Sequence, residues 1–75
     1  MTSAAQVSQI EIVVNGRPRD VAAVTTVAAL LTQLEIPLRG VAVEINGQIV
    51  SRALHAEQIV AAGDRLEIVS LVGGG

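Results

Sequence analysis

The chain has 75 residues, 51% of them hydrophobic, with no Phe, Trp, Tyr or Cys and one His. This length fits one small domain whose core is built from Val, Ile, Leu and Ala. The Cys and His counts exclude disulfides, thiolate metal sites, cysteine nucleophiles and multi-histidine metal cages. A net charge of −2, with five basic residues that are all Arg, offers no electrostatic footprint for nucleic acid or an anionic membrane. No apolar run approaches the roughly 20 residues that span a bilayer, and residues 1–9 lack a secretory pattern. We therefore expect a cytoplasmic protein.

The N-terminal third predicts a leader followed by a hairpin. Residues 1–8 are small and polar, which is typical of a flexible leader. Residues 9–14 alternate apolar and polar side chains and predict a strand. Asn15-Gly16 is a strong hairpin signal because both residue types tolerate positive φ. The return strand covers 17–22, and Pro18 places it at a sheet edge because proline has no N–H to donate.

A short helix follows the hairpin. Thr25 or Thr26 supplies a hydroxyl cap, and Pro37 stops the helix after about nine residues. Its apolar stripe has the spacing i, i+3, i+4, i+7 and consists of Val27, Leu30, Leu31 and Leu34. An isolated helix of this length is marginal in water, so it must pack against a sheet. We expect the three leucines to contact Ile12, Val43 and Ile68.

The remaining segments predict short strands separated by turns. They are strands over 41–45, 48–50 and 65–71, and turns at Asn46-Gly47 and Gly63-Asp64. Residues 51–62 have an ambiguous pattern, in which 51–55 are compatible with a short helical turn. In the last strand, Leu66 and Ile68 face inward. This order predicts an α+β domain over 9–72, with one helix across a small mixed sheet of four to five strands. The first and last strands are the most apolar and are expected side by side in the middle.

The chain closes on Gly73-Gly74-Gly75. Three closing glycines have a chance frequency of roughly 3 in 10,000. One interpretation is a frayed tail. The other is a flexible tail, residues 73–75, that threads a narrow tunnel and presents its carboxylate to another protein's active site. ATP could activate that carboxylate as an acyl adenylate, with all the catalytic groups supplied by the partner.

Three segments carry a family resemblance. Residues 41–52, VAVEINGQIVSR, resemble the stretch with a central asparagine and a closing Val-x-Arg in the ThiS family of thiamin-biosynthesis sulfur carriers. Residues 63–69, GDRLEIV, resemble that family's last turn and strand, and residues 72–75 resemble its terminus. The helix pattern over 26–31 is similar too. The resemblance runs from about Ile10 to Gly75 and implies the ubiquitin-like β-grasp fold.

The resemblance also implies a function. In the family, an E1-like enzyme adenylates the terminal glycine, a persulfide enzyme supplies sulfur, and thiazole synthase uses the resulting thiocarboxylate. By position, Gly75 would carry the adenylate and the thiocarboxylate, while Gly73 and Gly74 would provide flexible reach. The chain would be a co-substrate, not an enzyme, with no bound cofactor and with ATP used by its partner. It departs from the common pattern in its leader, in its third glycine, and in His55, where many members have a bulky aromatic.

Several alternatives stay open. The molybdopterin-synthase small subunit has the same fold, but the Pro and aromatic residues that usually precede its tail are absent from residues 68–72. A carrier for cysteine synthesis and a ubiquitin-like protein modifier would use the same activation. A TGS-type β-grasp binding module shares the 63–68 pattern, but such modules sit inside larger RNA-associated enzymes.

The single histidine, the charged residues and three outward-facing aliphatic residues can each be explained without a catalytic role. His55 is interpreted as a packed or surface residue, because no sequence neighbour forms a dyad with it. The carboxylates are interpreted as solvated surface, or as groups that steer docking onto a basic partner: Asp20, Glu44, Glu57 and Glu67. The five Arg residues are spread along the chain, so no phosphate site is predicted. Val13, Val69 and Leu71 lie on the outward phase of neighbouring central strands, either as scattered apolar residues or as one docking patch.

Overall fold

A computed structural model describes residues 8–71, which form one five-stranded sheet with an α-helix across one face. The elements in chain order are β1 (Gln9–Val14), β2 (Arg17–Ala22), α1 (Val27–Gln33), β3 (Val41–Ile45), β4 (Gln48–Val50), a 3₁₀ turn (Arg52–Leu54) and β5 (Arg65–Ser70). The strand order is β2-β1-β5-β3-β4, with β1 and β5 parallel and the other neighbours antiparallel. This arrangement confirms the α+β class and the β-grasp expectation, including the adjacent first and last strands.

The first hairpin forms as the sequence predicts. Asn15 and Gly16 have φ values of 50° and 84°, the two positive values that a two-residue type I′ turn needs. Strand β2 lies at the sheet edge, where Pro18, which has no N–H, costs the sheet no hydrogen bond. The predicted leader, 1–8, lies outside the described residues except for Ser8, whose carbonyl accepts a hydrogen bond from the Ala23 amide at 2.9 Å.

The helix begins at a threonine cap. Thr26 is the cap: its Oγ1 accepts a hydrogen bond from the Ala29 amide at 3.1 Å. Thr25 is instead buried, and its carbonyl accepts from the Val60 amide at 2.9 Å. None of the helical segments within residues 8–71 is long and apolar enough to cross a bilayer.

The end of the helix corrects the sequence prediction. The helix has seven residues, not about nine, and ends at Gln33, four residues before Pro37. Glu35 adopts a left-handed conformation with φ of 60°, and the Ile36 amide donates to the Leu31 carbonyl at 2.9 Å. This is the hydrogen bond of a Schellman stop. Glycine usually occupies the left-handed position, so the sequence carries no signal for an early stop.

The core lies between α1 and the inner face of the sheet. It consists of buried aliphatic side chains from the helix, four strands and the 51–64 segment: Ile12, Val21, Val27, Leu30, Leu31, Val41, Val43, Val60, Leu66 and Ile68. Leu34 is half-buried and packs against this cluster. The predicted inward phase of Leu66 and Ile68 and the predicted helical turn near Arg52 are confirmed. Strand β5 ends one residue earlier than predicted, at Ser70.

Candidate functional site

The site of interest is the end of the central strand β5, because the predicted modification site lies just beyond it in the sequence. Ser70 lies opposite Val41, and the Leu71 amide donates to the Gly40 carbonyl at 2.6 Å. Strand β3 therefore holds β5 up to Leu71. The predicted modification site Gly75, and the predicted flexible Gly73 and Gly74, lie outside the described residues.

An asparagine side chain holds the other edge of β5. The paired residues of β1 end at Val14, but the Asn15 amide donates to the Leu66 carbonyl at 2.9 Å. Asn15 Oδ1 then accepts from the Ile68 amide at 2.7 Å, and its Nδ2 donates to the Ile68 carbonyl at 3.2 Å. The side chain thus continues the ladder where β1 has already turned away. Sequence reasoning missed this role because it interpreted Asn15-Gly16 only as a turn.

The second Asn-Gly turn fixes the start of β5 in a similar way. Asn46 has φ of 53°, and its Oδ1 accepts from the Arg65 amide at 3.0 Å. Its Nδ2 donates to Asp64 Oδ1 at 3.0 Å, while Asp64 Oδ2 accepts from the Ala61 amide at 2.8 Å. Strand β5 is therefore anchored near both ends by asparagine side chains, which fixes the position from which the tail starts.

An apolar patch lies beside the exit point. Val69 and Leu71 are 55% and 65% exposed, on the face of the sheet that α1 does not cover. Val13 shares this face but is half-buried and lies opposite Arg65. Val69 is four positions after Arg65 in β5, a distance of about 13 Å along the strand. The register therefore does not bring Val13 beside the other two residues, contrary to the expectation of one patch; docking through any of the three stays a prediction.

The uncovered face of the sheet is acidic. Glu44 lies directly opposite Glu67, and Glu11 lies directly opposite Asp20. Like charges in directly opposed positions destabilise a sheet. These four side chains are exposed or half-exposed, as is expected of solvated carboxylates. Their arrangement also gives this face the charge that complements a basic partner surface.

His55 has a structural role. The side chain is 5% exposed, and its Nε2 lies 3.0 Å from the Val50 carbonyl oxygen, to which it donates. The His55 carbonyl accepts from the Ala28 amide at 2.8 Å. The imidazole is thus buried and held by a backbone carbonyl, so the packed interpretation is confirmed. Within residues 8–71, no group of three His, Asp or Glu side chains is placed to hold a metal ion.

Comparison with known proteins agrees with these features. The ThiS family model matches residues 12–75. The sulfur carrier protein ThiS of Escherichia coli (strain K12) is 38% identical over 66 residues, which cover 88% of this chain and all of the relative. A crystal structure of the thiamine biosynthesis protein ThiS from Geobacter metallireducens aligns with a TM-score of 0.75 and 33% identity, covering 88% of this chain and 100% of that one.

A longer relative contains a similar segment. A thiazole synthase of Paramagnetospirillum magneticum is 46% identical over 66 residues, which cover 88% of this chain. The chain spans only 20% of that thiazole synthase. The same sequence pattern therefore occurs in a chain of carrier size and as one part of a much longer chain.

Proposed function

Because this chain belongs to the ThiS family, we propose that it is a sulfur carrier of thiamine biosynthesis whose closing glycine is the site of activation. The observation that carries the proposal is the extent of the family match, which runs from Ile12 through Gly75 and so includes the closing glycines. The 38% identity over the whole of Escherichia coli ThiS supports it.

The proposed chemistry takes place at Gly75. Its carboxylate attacks the α-phosphate of ATP, pyrophosphate leaves, and an acyl adenylate forms. A persulfide sulfur of a donor enzyme then attacks the acyl carbon and displaces AMP. A second thiol of the donor attacks the resulting acyl disulfide, so that the donor ends as a disulfide and Gly75 ends as a thiocarboxylate. Thiazole synthase takes its sulfur from that group.

The carrier contributes position, and its partners contribute catalysis. The chain has no Cys and no Lys, and its one His is bound to a backbone carbonyl. We therefore assign ATP binding and phosphate chemistry to an E1-like adenylating enzyme. In this proposal the chain itself is a co-substrate that holds no cofactor.

The proposed partnership with thiazole synthase has support of its own. A segment 46% identical to this chain forms part of the Paramagnetospirillum magneticum thiazole synthase. Joining a carrier-like segment to a synthase in one chain gives the two a high effective concentration. That arrangement is useful only when the two segments act on each other, so it favours direct transfer of sulfur from carrier to synthase.

Tail length limits where a partner can dock. Gly75, the proposed reactive residue, lies four residues beyond Leu71, and four residues span at most about 14 Å when fully extended. In this proposal a partner's reactive centre lies within about that distance of Leu71, so the partner contacts this end of the sheet. Val69 and Leu71 supply exposed apolar area there, and the acidic face beside them supplies charge. Val13 lies further down the same face, where only a larger partner surface would reach it.

Intact-mass measurement tests the proposed function. The protein is incubated with ATP, its cognate E1-like enzyme and a persulfide donor, and we expect a mass change equal to one oxygen replaced by sulfur, mapped to the last peptide. The matched control lacks Gly74 and Gly75. Because glycines bury no side chain, this variant should keep the melting temperature of the full chain yet show no mass change. If the full chain keeps its original mass under all these conditions, the proposed function is wrong.

A further inference from the structure

A small cavity lies beside α1, on the side of the molecule away from β2. Its volume is about 260 Å³, and it is lined by Ala28, Leu38, Arg39, Arg52, His55 and Ala56. We call it the arginine pocket. Its lining combines apolar side chains with two guanidinium groups and contains no carboxylate. In a chain with seven acidic and five basic residues, this is a local reversal of charge.

Neither guanidinium in the pocket has a hydrogen-bond partner among residues 8–71. The side-chain hydrogen bonds of this part of the chain involve asparagine, threonine, glutamine, aspartate and histidine, but not Arg39 or Arg52. Both residues are exposed. Their donors are therefore available to a ligand, and a guanidinium pairs well with the planar oxygens of a carboxylate.

The arginine pocket lies at the same end of the sheet as Leu71. Arg39 directly precedes Gly40, whose carbonyl holds the Leu71 amide. In the β3–β4 pair, Val50 lies opposite Val43. Arg52 comes two residues later and opens the 3₁₀ turn that follows β4, on the side of the start of β3, where Ser70 is paired. Neighbouring strands are about 4.8 Å apart and β4 is the second strand from β5, so the end of β4 lies roughly 10 Å to the side of β5.

We propose that the arginine pocket binds a carboxylate side chain of the adenylating enzyme and thereby fixes the rotation of the carrier about its tail. This inference rests on the proposed function. A partner held only by the closing residues and a small apolar patch can rotate, whereas a charged contact about two strand spacings to the side of β5 sets one orientation. The apolar walls, Leu38 and Ala56, accommodate the methylene groups of a glutamate or aspartate. Ligand pockets for drug-sized molecules begin at about 300 Å³, so this volume suits one side chain and not a nucleotide.

A matched pair of double variants tests the proposal. The first is Arg39→Ala with Arg52→Ala. The second is Arg17→Ala with Arg19→Ala, which removes the same charge from β2 at the opposite edge of the sheet. Arg17 is level with Leu66, about 16 Å short of Leu71 along the strand direction. ATP–pyrophosphate exchange is measured with the cognate adenylating enzyme as a function of carrier, ATP and salt concentration.

We expect the pocket variant to raise the KM for the carrier roughly tenfold, because truncating one side of a desolvated charge pair costs at least that factor. Its kcat and its KM for ATP should be unchanged, and the difference from wild type should shrink at high salt. The β2 variant should change the KM for the carrier less than twofold. The charge-preserving double variant Arg39→Lys with Arg52→Lys should have a KM for the carrier between those of the pocket variant and wild type. Lysine keeps the positive charge but lacks the planar guanidinium that pairs with both oxygens of a carboxylate.

Several outcomes would overturn the proposal. Equal KM increases in both double variants would show that net charge matters and the pocket does not. A lower kcat or a higher KM for ATP in the pocket variant would place the guanidiniums on the nucleotide. A pocket variant with wild-type kinetics would show that the pocket is empty in the complex. Wild-type carrier that supports no exchange would mean that the proposed function has failed, which separates that failure from failure of the pocket.

Discussion

The Asn15 side chain should contribute a large share of the stability of this domain. Although Asn15 is an exposed residue, its side chain makes two partly buried hydrogen bonds to the Ile68 backbone, at 2.7 and 3.2 Å. Each contributes a net stabilisation of about 1 kcal/mol, so Asn15→Gly should cost about 2 kcal/mol. Asn15→Ala loses the same bonds and also leaves an alanine at φ of 50°, a left-handed conformation that asparagine tolerates better, which adds about 1 kcal/mol. Its expected cost of about 3 kcal/mol compares with a total of about 5 kcal/mol for a small domain.

Urea denaturation and amide hydrogen exchange measure this effect. The free energy of unfolding should decrease in the order wild type, Asn15→Gly, Asn15→Ala, and the Ile68 amide should lose protection first. Asn46→Gly is the matched control, because Asn46 occupies the same turn position while its side-chain bonds are exposed. It should cost less than Asn15→Gly. An Asn15→Gly variant within about 0.5 kcal/mol of wild type, the range of ordinary surface substitutions, would refute the reasoning.

Four further predictions follow from the fold. Leu31→Ala should cost about 2–5 kcal/mol by urea denaturation, because Leu31 is fully buried in a core without aromatics; a loss under about 1 kcal/mol would mean that the helix is loosely packed. Glu35→Gly should raise the free energy of unfolding by about 1 kcal/mol, because glycine adopts φ of 60° without strain; a lower melting temperature would contradict this. His55→Leu should cost about 1–3 kcal/mol, because it leaves the Val50 carbonyl without its donor; unchanged stability would mean that water replaces the imidazole. Leu71→Glu should keep the fold, because Leu71 is 65% exposed, and should raise the KM for adenylation of the carrier; unchanged kinetics would place the docking face elsewhere.

Local patterns in the sequence were sufficient to predict most of the elements. Alternation identified β1 and β5, and the pairs Asn15-Gly16 and Asn46-Gly47 located both hairpins. These signals are local, because strand phase and turn conformation depend on neighbouring residues. The helix end was predicted wrongly because Glu35 adopts a left-handed conformation, which glutamate rarely does and which its residue type therefore does not predict. That conformation is imposed by the packing of Ile36 and Leu31, which lie on either side of the stop.

The site was less predictable because its contacts are distant in sequence. Asn15 and Ile68 are 53 residues apart, and no periodicity within either strand indicates that a turn amide will extend a parallel ladder. The position of Val13 relative to Val69 depended on the register between β1 and β5, which strand phase alone does not determine. Phase gives the face on which a residue lies, while register gives its height on that face.

The charges show why this difference matters for function. As a sequence, the five Arg residues are scattered, and the absence of a basic cluster argued against a phosphate site. In the fold, Arg39 and Arg52 line one pocket beside the tail exit, while the directly opposed Glu44 and Glu67 lie on the uncovered sheet face. A net charge of −2 therefore conceals an acidic face and a basic pocket. Two separated charges of opposite sign define a direction, which net charge cannot do. The proposed presentation of Gly75 to an enzyme requires such a direction.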